Sequence, residues 1–297
     1  MTKSYPLQAS PLYKLRNRRK LAESLALPRN YFRYTHSFHY LEFSQVKPSG
    51  NEKRYFSVPE DELKKIQKRL NRLFSRIETP DWLLSGKKHR SYITNASVHI
   101  NGNFVKTMDI SCFYDSAQRS YIYNMFKNTF LMETDIAWIL TDLVTYNGKL
   151  PTGSPSSQII IFWAYKEMFE NIYAISMKYN CIFSLYVDDM TFSSSMPISC
   201  NLRIEVENEL KKHGLTAKKR KDHYYQAHNT KIITGVGIKN GNRVVPNRLR
   251  KKIMDTYYNC QQTNDIKNIE RLRGLLCAAR QIEPDIFPSI ANYAQLH

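Results

Sequence analysis

Apolar residues recur at helical spacing in the segment that follows Pro59. They are Leu63, Ile66, Leu70, Leu73, Phe74 and Ile77. Glu60, Asp61 and Glu62 precede them, and acidic residues are favoured in the first turn of a helix. Lysine and arginine fill positions 64, 65, 68, 69 and 72. The pattern predicts an amphipathic helix whose basic outer face is solvated or meets phosphates.

The rest of the chain alternates between strand-like and helix-like segments. Residues 31–58 are rich in Tyr, Phe, His and Val around a turn at 48–51, which predicts a β-hairpin. Further strands are predicted at 104–110 and as a pair at 231–245. Helices are predicted within 116–146 and at 158–178, 201–213, 247–259 and 264–281. Because strands and helices intermingle, the pattern favours an α+β fold over a parallel α/β sheet.

Two adjacent acids, Asp188 and Asp189, lie between β-favouring runs at 181–195. A strand would point neighbouring side chains to opposite faces, but a hairpin turn can redirect one of them. Two carboxylates this close are costly unless they are protonated, hydrogen-bonded or bound to a cation. An isolated Asp-Asp pair is more often a polar turn. The interpretation therefore depends on the remainder of the sequence.

Charge narrows the choice of partner. The 297 residues include 44 lysines and arginines against 26 acids, a formal net charge of +18. Such an excess favours a polyanionic partner, nucleic acid first and an anionic membrane second. A basic protein without such a partner is the alternative.

Membrane and disulfide signals are weak. The longest apolar run, residues 159–165, is far shorter than the roughly 20 residues that span a bilayer. The N-terminal residues lack the apolar core of a secretion signal. Five cysteines, an odd number without close spacing, indicate reduced thiols. These observations predict a cytoplasmic protein with no membrane partner.

A third acid completes a chemically meaningful set. Asp109 ends the strand-like run 104–109, and a neighbouring strand would bring it near the turn that holds Asp188 and Asp189. Carboxylates grouped in this way hold the paired Mg²⁺ ions of nucleotidyl-transfer enzymes. The three acids therefore predict a two-metal site.

Three motifs of the chain resemble motifs of reverse transcriptases, and they occur along the sequence in the same order as in that family. Residues 108–116 resemble the first carboxylate motif, residues 150–157 the Gly-Ser-Pro loop, and residues 186–189 the signature hairpin. Two further elements are similar to those of bacterial retron-type enzymes: Asn95-Ala-Ser-Val-His99 and Ile233-Thr-Gly235. The resemblance covers roughly residues 30–280.

The resemblance implies a right-hand polymerase fold with fingers, a palm of antiparallel sheet and helices, and a small helical thumb. Residues 1–30 would form a basic N-terminal helix or arm, and residues 31–104 the fingers. Residues 105–242 would form the palm, with interleaved fingers helices at about 116–150. Residues 243–297 would form the thumb.

The resemblance also implies roles for individual residues. Asp109, Asp188 and Asp189 would be catalytic and bind two Mg²⁺ ions, together with the backbone of Ile110. Residues expected to contact the incoming nucleotide are Tyr114, Arg90, Thr152, Gly153, Ser154 and Lys221. The ring of Tyr114 would clash with a 2′-hydroxyl and so favour dNTPs. Thr152, Cys112 and Asp115 replace a frequent Gln, acid and Pro of the family.

A retron enzyme is expected to use one structured noncoding RNA as both template and 2′-hydroxyl primer, making branched RNA–DNA called msDNA. The residues assigned to retron elements or RNA contact are Asn95, His99, Thr234, Gly235, Arg248, Arg250 and Lys251. The resemblance further implies antiphage defence together with a separate effector protein. Alternatives are an abortive-infection-type or intron-related polymerase, or an RNA-held scaffold that mainly controls a partner effector.

Overall fold

The computed structural model describes residues 4–34, 37–46, 53–263 and 265–296. The strands are β1 Tyr40–Val46, β2 Lys53–Pro59, β3 Phe104–Asp109, β4 Ile182–Tyr186, β5 Asp189–Ser194, β6 His223–Tyr225, β7 Lys231–Ile233, β8 Val236–Lys239 and β9 Asn242–Val244. The helices are α1 Arg18–Ser24, α2 Asp61–Phe74, α3 Tyr92–Val98, α4 Phe113–Ser116, α5 Arg119–Asn124, α6 Thr134–Val144, α7 Ser157–Ala164, α8 Lys166–Lys178, α9 Cys200–Lys212, α10 Asn247–Thr263, α11 Ile266–Ile282 and α12 Pro288–Leu296. The sheets are antiparallel and helices lie between their strands, so the α+β prediction is confirmed.

The chain forms two compact units. The first comprises Met1–Asp81, Ile110–Tyr173 and Val206–Ala217, and the second Trp82–Asp109, Ala174–Glu205 and Lys218–His297. In the first unit, the predicted amphipathic helix is α2. Its Phe74 contacts the rings of Phe126 and Phe130 in a buried aromatic cluster. The apolar stripe read from the sequence is therefore the face of α2 that enters the core.

Strands β1 and β2 form the hairpin predicted for residues 31–58. The predicted turn at 48–51 lies outside the described residues. Phe43 pairs with Phe56 across the ribbon, and their rings stack with centroids 5.2 Å apart. Most of β1 is exposed, so cross-strand ring contact is a main source of side-chain packing on this ribbon.

The second unit is built on a four-stranded sheet in the order β4-β5-β3-β6. Strand β3 pairs with β5 in a register that places Asp109 opposite Asp189. Phe183 and Phe192 are buried in this sheet and their rings are in contact. Apolar Phe183 and Leu185 flank polar Ser184 on β4, and Met190 and Phe192 alternate with Thr191 and Ser193 on β5. A slip of one residue would exchange the apolar and polar faces of a strand, which favours the observed register.

The outer side of β4 is paired with a segment outside the named strands. Leu185 donates its backbone N–H to Trp82 O at 2.8 Å and accepts at its own carbonyl from Leu84 N at 2.9 Å. Leu83 and Leu185 form an isolated parallel bridge. The backbone groups of β4 are therefore satisfied on both sides near the turn that carries the acids.

Three strands occupy the region where one pair was predicted. Strands β7, β8 and β9 form a second antiparallel sheet in that order. Apolar residues of α10, α11 and α12, including Ile253, Leu272 and Ile290, pack with Ile233 and Val236 in one buried cluster. The amphipathic patterns of the C-terminal helices are thus explained by a shared core with this sheet.

The helix predicted at 158–178 is wrong as a single element. It is divided at Tyr165, where the backbone leaves the helical region between α7 and α8. Helix α3, the short strand β6 and helix α12 were not predicted. No helix within the described part of the chain is long and apolar enough to cross a membrane.

Candidate active site

The turn between β4 and β5 has a strained backbone. Tyr186 pairs with Asp189, which leaves Val187 and Asp188 as a two-residue connection. Val187 has a φ of 61°, a left-handed conformation that is rare for a β-branched residue. Its backbone N–H donates to Ser85 Oγ at 3.0 Å. Strain of this kind persists where surrounding contacts fix it, and it is concentrated at functional sites.

Three carboxylates meet at this turn. Asp109 and Asp189 are cross-strand neighbours, and Asp188 belongs to the turn itself. One oxygen from each of the three acids lies within 4.8 Å of the others. Asp109 is buried, whereas Asp188 and Asp189 are half-buried. The acids expected to come together from the sequence are therefore adjacent in the structure.

Burial and mutual repulsion make two of these acids weak. Burial, followed by the negative charge of Asp109, raises the pKa of Asp188 to about 6. Burial also raises the pKa of Asp189 to about 7, with further contributions from its hydrogen bond to Asp109 and the charge of Asp188. A site that opposes ionisation of its own carboxylates is one that an added cation stabilises.

Lys221 contacts this cluster directly. Its Nζ donates to Asp109 Oδ1 at 2.6 Å and lies 3.7 Å from Asp189 Oδ1. Its pKa is raised, because the hydrogen bond with Asp109 and the charges of the three acids outweigh the opposing effect of its burial. Lys221, which was predicted to contact the incoming nucleotide, thus lies at the carboxylates.

The donor set fits a divalent cation. Mg²⁺ prefers oxygen ligands and is commonly held by one or two carboxylates together with substrate phosphates. Asp109, Asp188 and Asp189 supply clustered oxygens of this type. Ile110 belongs to the first unit, where it forms a bridge with Ala217, and its role as a backbone ligand stays a prediction.

The Gly-Ser-Pro loop lies in the first unit and contacts β2 and α2. Thr152 O accepts from Ser57 N at 2.9 Å, and Ser154 Oγ donates to Gln67 Oε1 at 2.5 Å. Gly153 has a φ of 116°, and a Cβ there would lie 2.9 Å from Val58 Cγ2. Glycine is required because the backbone is both left-handed and pressed against β2.

Two other predicted nucleotide contacts have different surroundings. Tyr114 is half-buried on α4 in the first unit, and its ring centroid is 6.4 Å from that of Phe113. Arg90 is exposed in the second unit, in the turn before α3. Their contacts with a nucleotide remain predictions.

His99 supports the hairpin that carries the acids. It is fully buried, and its Nδ1 and Nε2 lie 2.7 Å from Ser193 Oγ and Ser184 Oγ. Because Ser184 is on β4 and Ser193 on β5, one imidazole links both strands. Burial lowers the pKa of His99 to about 3, so the ring is neutral.

The two retron-type elements contact each other. Asn95 Nδ2 donates to Thr234 Oγ1 at 3.4 Å, and that hydroxyl donates to Tyr92 O at 2.9 Å. Thr234 and Gly235 both have positive φ, of 45° and 84°. Motifs 139 residues apart are therefore parts of one structural junction between α3 and the second sheet.

The predicted RNA-contacting cations of α10 differ in exposure. Arg248 and Lys251 are exposed. Arg250 is half-buried, with its guanidinium 2.7 Å from Glu283 Oε2 and 2.9 Å from Val245 O. Arg250 therefore has a structural partner, and contact with RNA stays a prediction for all three.

Sequence reasoning missed a group of charged residues beside the acids. Asp222 forms ion pairs with Lys106 and, at 2.8 Å, with Arg203 Nε. The sequence reasoning also missed Ser85, whose hydroxyl accepts a hydrogen bond from Val187 N and holds the turn. The one available signal was an acid directly after four consecutive basic residues, at 218–221.

Comparison with known proteins finds retron enzymes. No family model matches the chain. The chain is 28% identical over 236 residues to the Retron Se72 reverse transcriptase of Salmonella heidelberg (strain 579083-10), covering 76% of this chain and 62% of that enzyme. It is 25% identical over 249 residues to the Retron Ec86 reverse transcriptase of Escherichia coli, covering 82% and 76% respectively.

Retron Ec48 reverse transcriptase of Escherichia coli is 21% identical over 190 residues, covering 63% of this chain and 47% of that enzyme. The resemblance to retron reverse transcriptases is thereby confirmed. The match spans less than two thirds of the length of the Se72 enzyme.

Solved structures with a similar chain path include two polymerases. A foamy viral protease–reverse transcriptase in complex with double-stranded DNA has a TM-score of 0.47 and 18% identity, over 83% of this chain and 37% of that chain. Telomerase from Candida albicans in complex with a fragment of telomeric RNA has a TM-score of 0.48 and 12% identity, over 86% and 56% respectively.

Proposed function

We propose that this chain, a relative of the retron reverse transcriptases, is an RNA-directed DNA polymerase that makes DNA on a cognate structured RNA. The observation that carries the proposal is the cluster of Asp109, Asp188 and Asp189 at a strained hairpin turn, with Lys221 beside it. A polar turn without a function needs neither a third acid from another strand nor a lysine that contacts it.

Asp109, Asp188 and Asp189 would hold two Mg²⁺ ions. Bound there, the ions would make the priming hydroxyl more acidic and offset negative charge on the triphosphate. The hydroxyl oxygen bonds to the α-phosphorus of a dNTP while the bond to the β-phosphate oxygen breaks and pyrophosphate leaves. The ammonium of Lys221 offsets charge that develops on the leaving group.

Nucleic-acid binding is supported by the net charge of +18. Phosphate contacts from a basic surface give affinity with little sequence information. We propose that a structured noncoding RNA supplies both template and 2′-hydroxyl primer, and that the product is branched msDNA. The proposal extends to antiphage defence with a separate effector protein, as the retron resemblance implies.

The free thiols support a proposal for the cellular setting. All five cysteines are free, with Cys181 and Cys260 buried. Free thiols suit a reducing compartment. We place the protein in the bacterial cytoplasm, and retain fingers at 31–104, palm at 105–242 and thumb at 243–297 as proposed boundaries.

Primer extension tests the activity. Purified protein is given its co-purified RNA, Mg²⁺ and labelled dNTPs, and Asp188→Asn/Asp189→Asn should lower DNA synthesis at least about a thousandfold, equivalent to several kcal/mol. The exposed Asp285→Asn variant is the control for loss of a carboxylate elsewhere. Chelation of Mg²⁺ should also stop synthesis. Equal DNA yield from wild type and the double variant would refute the assignment.

Sequencing the bound nucleic acid tests the substrate. The protein is purified from its host and its nucleic acid is treated with ribonuclease and debranching enzyme before sequencing. DNA joined to RNA through a 2′-linkage is expected. RNA without attached DNA would favour a scaffold, and random fragments would refute a cognate RNA.

A further inference from the structure

The segment that carries Lys221 bulges from the edge of the sheet. Lys218 N donates to Asp109 O at 2.7 Å, and His223 pairs with Thr107 on the same strand. On β3, one residue separates the two contact points, Thr107 and Asp109. On the facing segment, four residues separate Lys218 from His223. The additional residues form a 3₁₀ turn at Lys219–Lys221. This turn brings Lys221 to Asp109.

Asp222 ends the bulge and is held between two cations. It pairs with Lys106 of β3 and with Arg203 Nε of α9 at 2.8 Å. The side chains of Asp222 and Lys106 are 8% and 10% exposed. A carboxylate this buried, with a cation on each side, has little freedom to move.

We propose that Asp222 is a positioning residue that holds Lys221 at the candidate carboxylate site. The inference rests on the proposed function for its catalytic consequence, but the placement of Lys221 can be measured without activity. Asp222 contacts none of the reacting groups named above, so it acts through Lys221.

Charge along the bulge explains why an anchor is needed. Lys218, Lys219, Arg220 and Lys221 are consecutive cations, and Asp222 is the acid that follows them. Like charges so close together repel one another and favour an open segment. Asp222 fixes one end of the turn to β3 through Lys106, while Lys218 N fixes the other end through Asp109 O.

A purely structural role for Asp222 predicts different behaviour. If Asp222 did no more than neutralise buried Lys106, its loss would affect the whole sheet and would be independent of Lys221. If it positions Lys221, the loss should matter only while Lys221 is present. A double-mutant cycle separates these cases.

Kinetics are measured on poly(rA)·oligo(dT) with dTTP and Mg²⁺. Lys221→Gln should lower kcat about a hundredfold, and Asp222→Asn about tenfold through misplacement of the lysine. The two losses should not multiply: the double variant should match Lys221→Gln within about twofold. Asp222→Glu should recover part of the rate. If Asp222→Asn lowers kcat by the same factor in wild type and in Lys221→Gln, the positioning role is wrong.

Glu283→Gln provides a control in which an ion pair is lost elsewhere. It removes a more exposed ion pair, with Arg250, on different elements of the same unit. The fold-decreases in kcat caused by Glu283→Gln and by Lys221→Gln should multiply in the double variant, because the two sites share no partner. Should Asp222→Asn fail to fold, Lys106→Met/Asp222→Asn removes both buried charges and should give the same non-multiplying loss.

Lysine labelling provides a readout that needs no activity. The protein is treated with an acetylating N-hydroxysuccinimide ester, and each lysine's modification rate is followed by peptide mass spectrometry. Asp222→Asn should raise the rate at Lys221 about threefold, as expected for loss of a half-exposed ion pair, and leave exposed Lys239 unchanged. An unchanged rate at Lys221 would overturn the inference. If wild type made no DNA, the proposed function would fail while labelling still decided the positioning role.

Discussion

His99 is a neutral, fully buried imidazole between two serine hydroxyls. Its pKa is lowered from 6.5 to about 3, so the unfolded chain binds a proton at higher pH than the folded protein does. The stability that this ring contributes is present above pH 6.5 and is lost as the pH falls towards 3. We expect a slope of about 1.4 kcal/mol per pH unit in this window from this one residue.

Urea unfolding of wild type and His99→Gln at several pH values measures this effect. The difference between the two proteins isolates the histidine from other titrating groups. The variant should be less stable at pH 7, and its deficit should shrink as the pH falls below 6.5. A deficit that is constant with pH would show that His99 binds its proton equally in both states.

Tyr114 is expected to select the sugar of the incoming nucleotide. Tyr114→Val removes the ring that would clash with a 2′-hydroxyl, so ribonucleotide incorporation should rise about tenfold relative to dNTPs, on the scale of one lost steric contact. The ratio of kcat/KM for ribothymidine triphosphate to kcat/KM for dTTP measures this selectivity. Tyr114→Phe retains the ring and should keep the wild-type ratio. Equal ratios in all three proteins would assign Tyr114 to packing alone.

At this scale, spacing and alternation were sufficient to find the acids but not their surroundings. The position of Asp109 at the site could be predicted because this residue ends a strand-like run. A strand that pairs with the hairpin brings its last residue near the hairpin turn, and Asp109 does lie opposite Asp189. The contact of Asp222 with Lys106 could not be predicted, because 116 residues separate them and both are ordinary surface residue types. Long-range ion pairs leave no local pattern in a sequence.

Among the elements, local signals predicted most helices and failed where tertiary contacts decide. The break between α7 and α8 falls at Tyr165, whose hydroxyl accepts from Gln118 N and whose ring stacks on Tyr121 at 4.7 Å. Neither glycine nor proline marks this position. A break maintained by buried contacts of one aromatic residue cannot be inferred from helix periodicity.

Strand β8 requires a residue without a side chain at Gly237. A Cβ there would lie 2.7 Å from Val244 O and 2.8 Å from Val244 Cγ2 on β9. Backbone cannot move aside as a flexible side chain can, so Gly237→Ala should lower the free energy of unfolding by about 1–3 kcal/mol. Chemical denaturation measures this value.

Gly274 is the matched control for that substitution. It lies on the exposed side of α11, and a Cβ there meets nothing within 4 Å. Gly274→Ala should raise the free energy of unfolding by about 0.5–1 kcal/mol, because alanine loses less backbone entropy in a helix. Opposite signs for the two alanine variants are expected. Destabilisation by both would show that the predicted clash is not the cause.

For the whole molecule, we expect the net charge of +18 to govern the proposed association with nucleic acid. Binding that releases counterions weakens steeply with salt, by about 10³–10⁵ between 50 and 200 mM for 6–10 phosphate contacts. We expect the affinity for a fluorescein-labelled RNA hairpin to fall at least about 10³-fold over this range. Anisotropy titrations across this salt range measure it. A nearly flat dependence would exclude phosphate contacts as the main source of affinity.

The covered side of β4 has a consequence for self-association. An unpaired strand edge is a template on which a strand from another molecule can add, and proteins commonly blunt or cover such edges. Here the cover near the turn is Trp82–Leu84, which is not itself a strand of the sheet. Detachment of this short segment would leave the backbone N–H and C=O of Leu185 available to other chains. The same two backbone hydrogen bonds therefore cover this strand edge against aggregation and add to the support that Ser85 and His99 give the carboxylate hairpin.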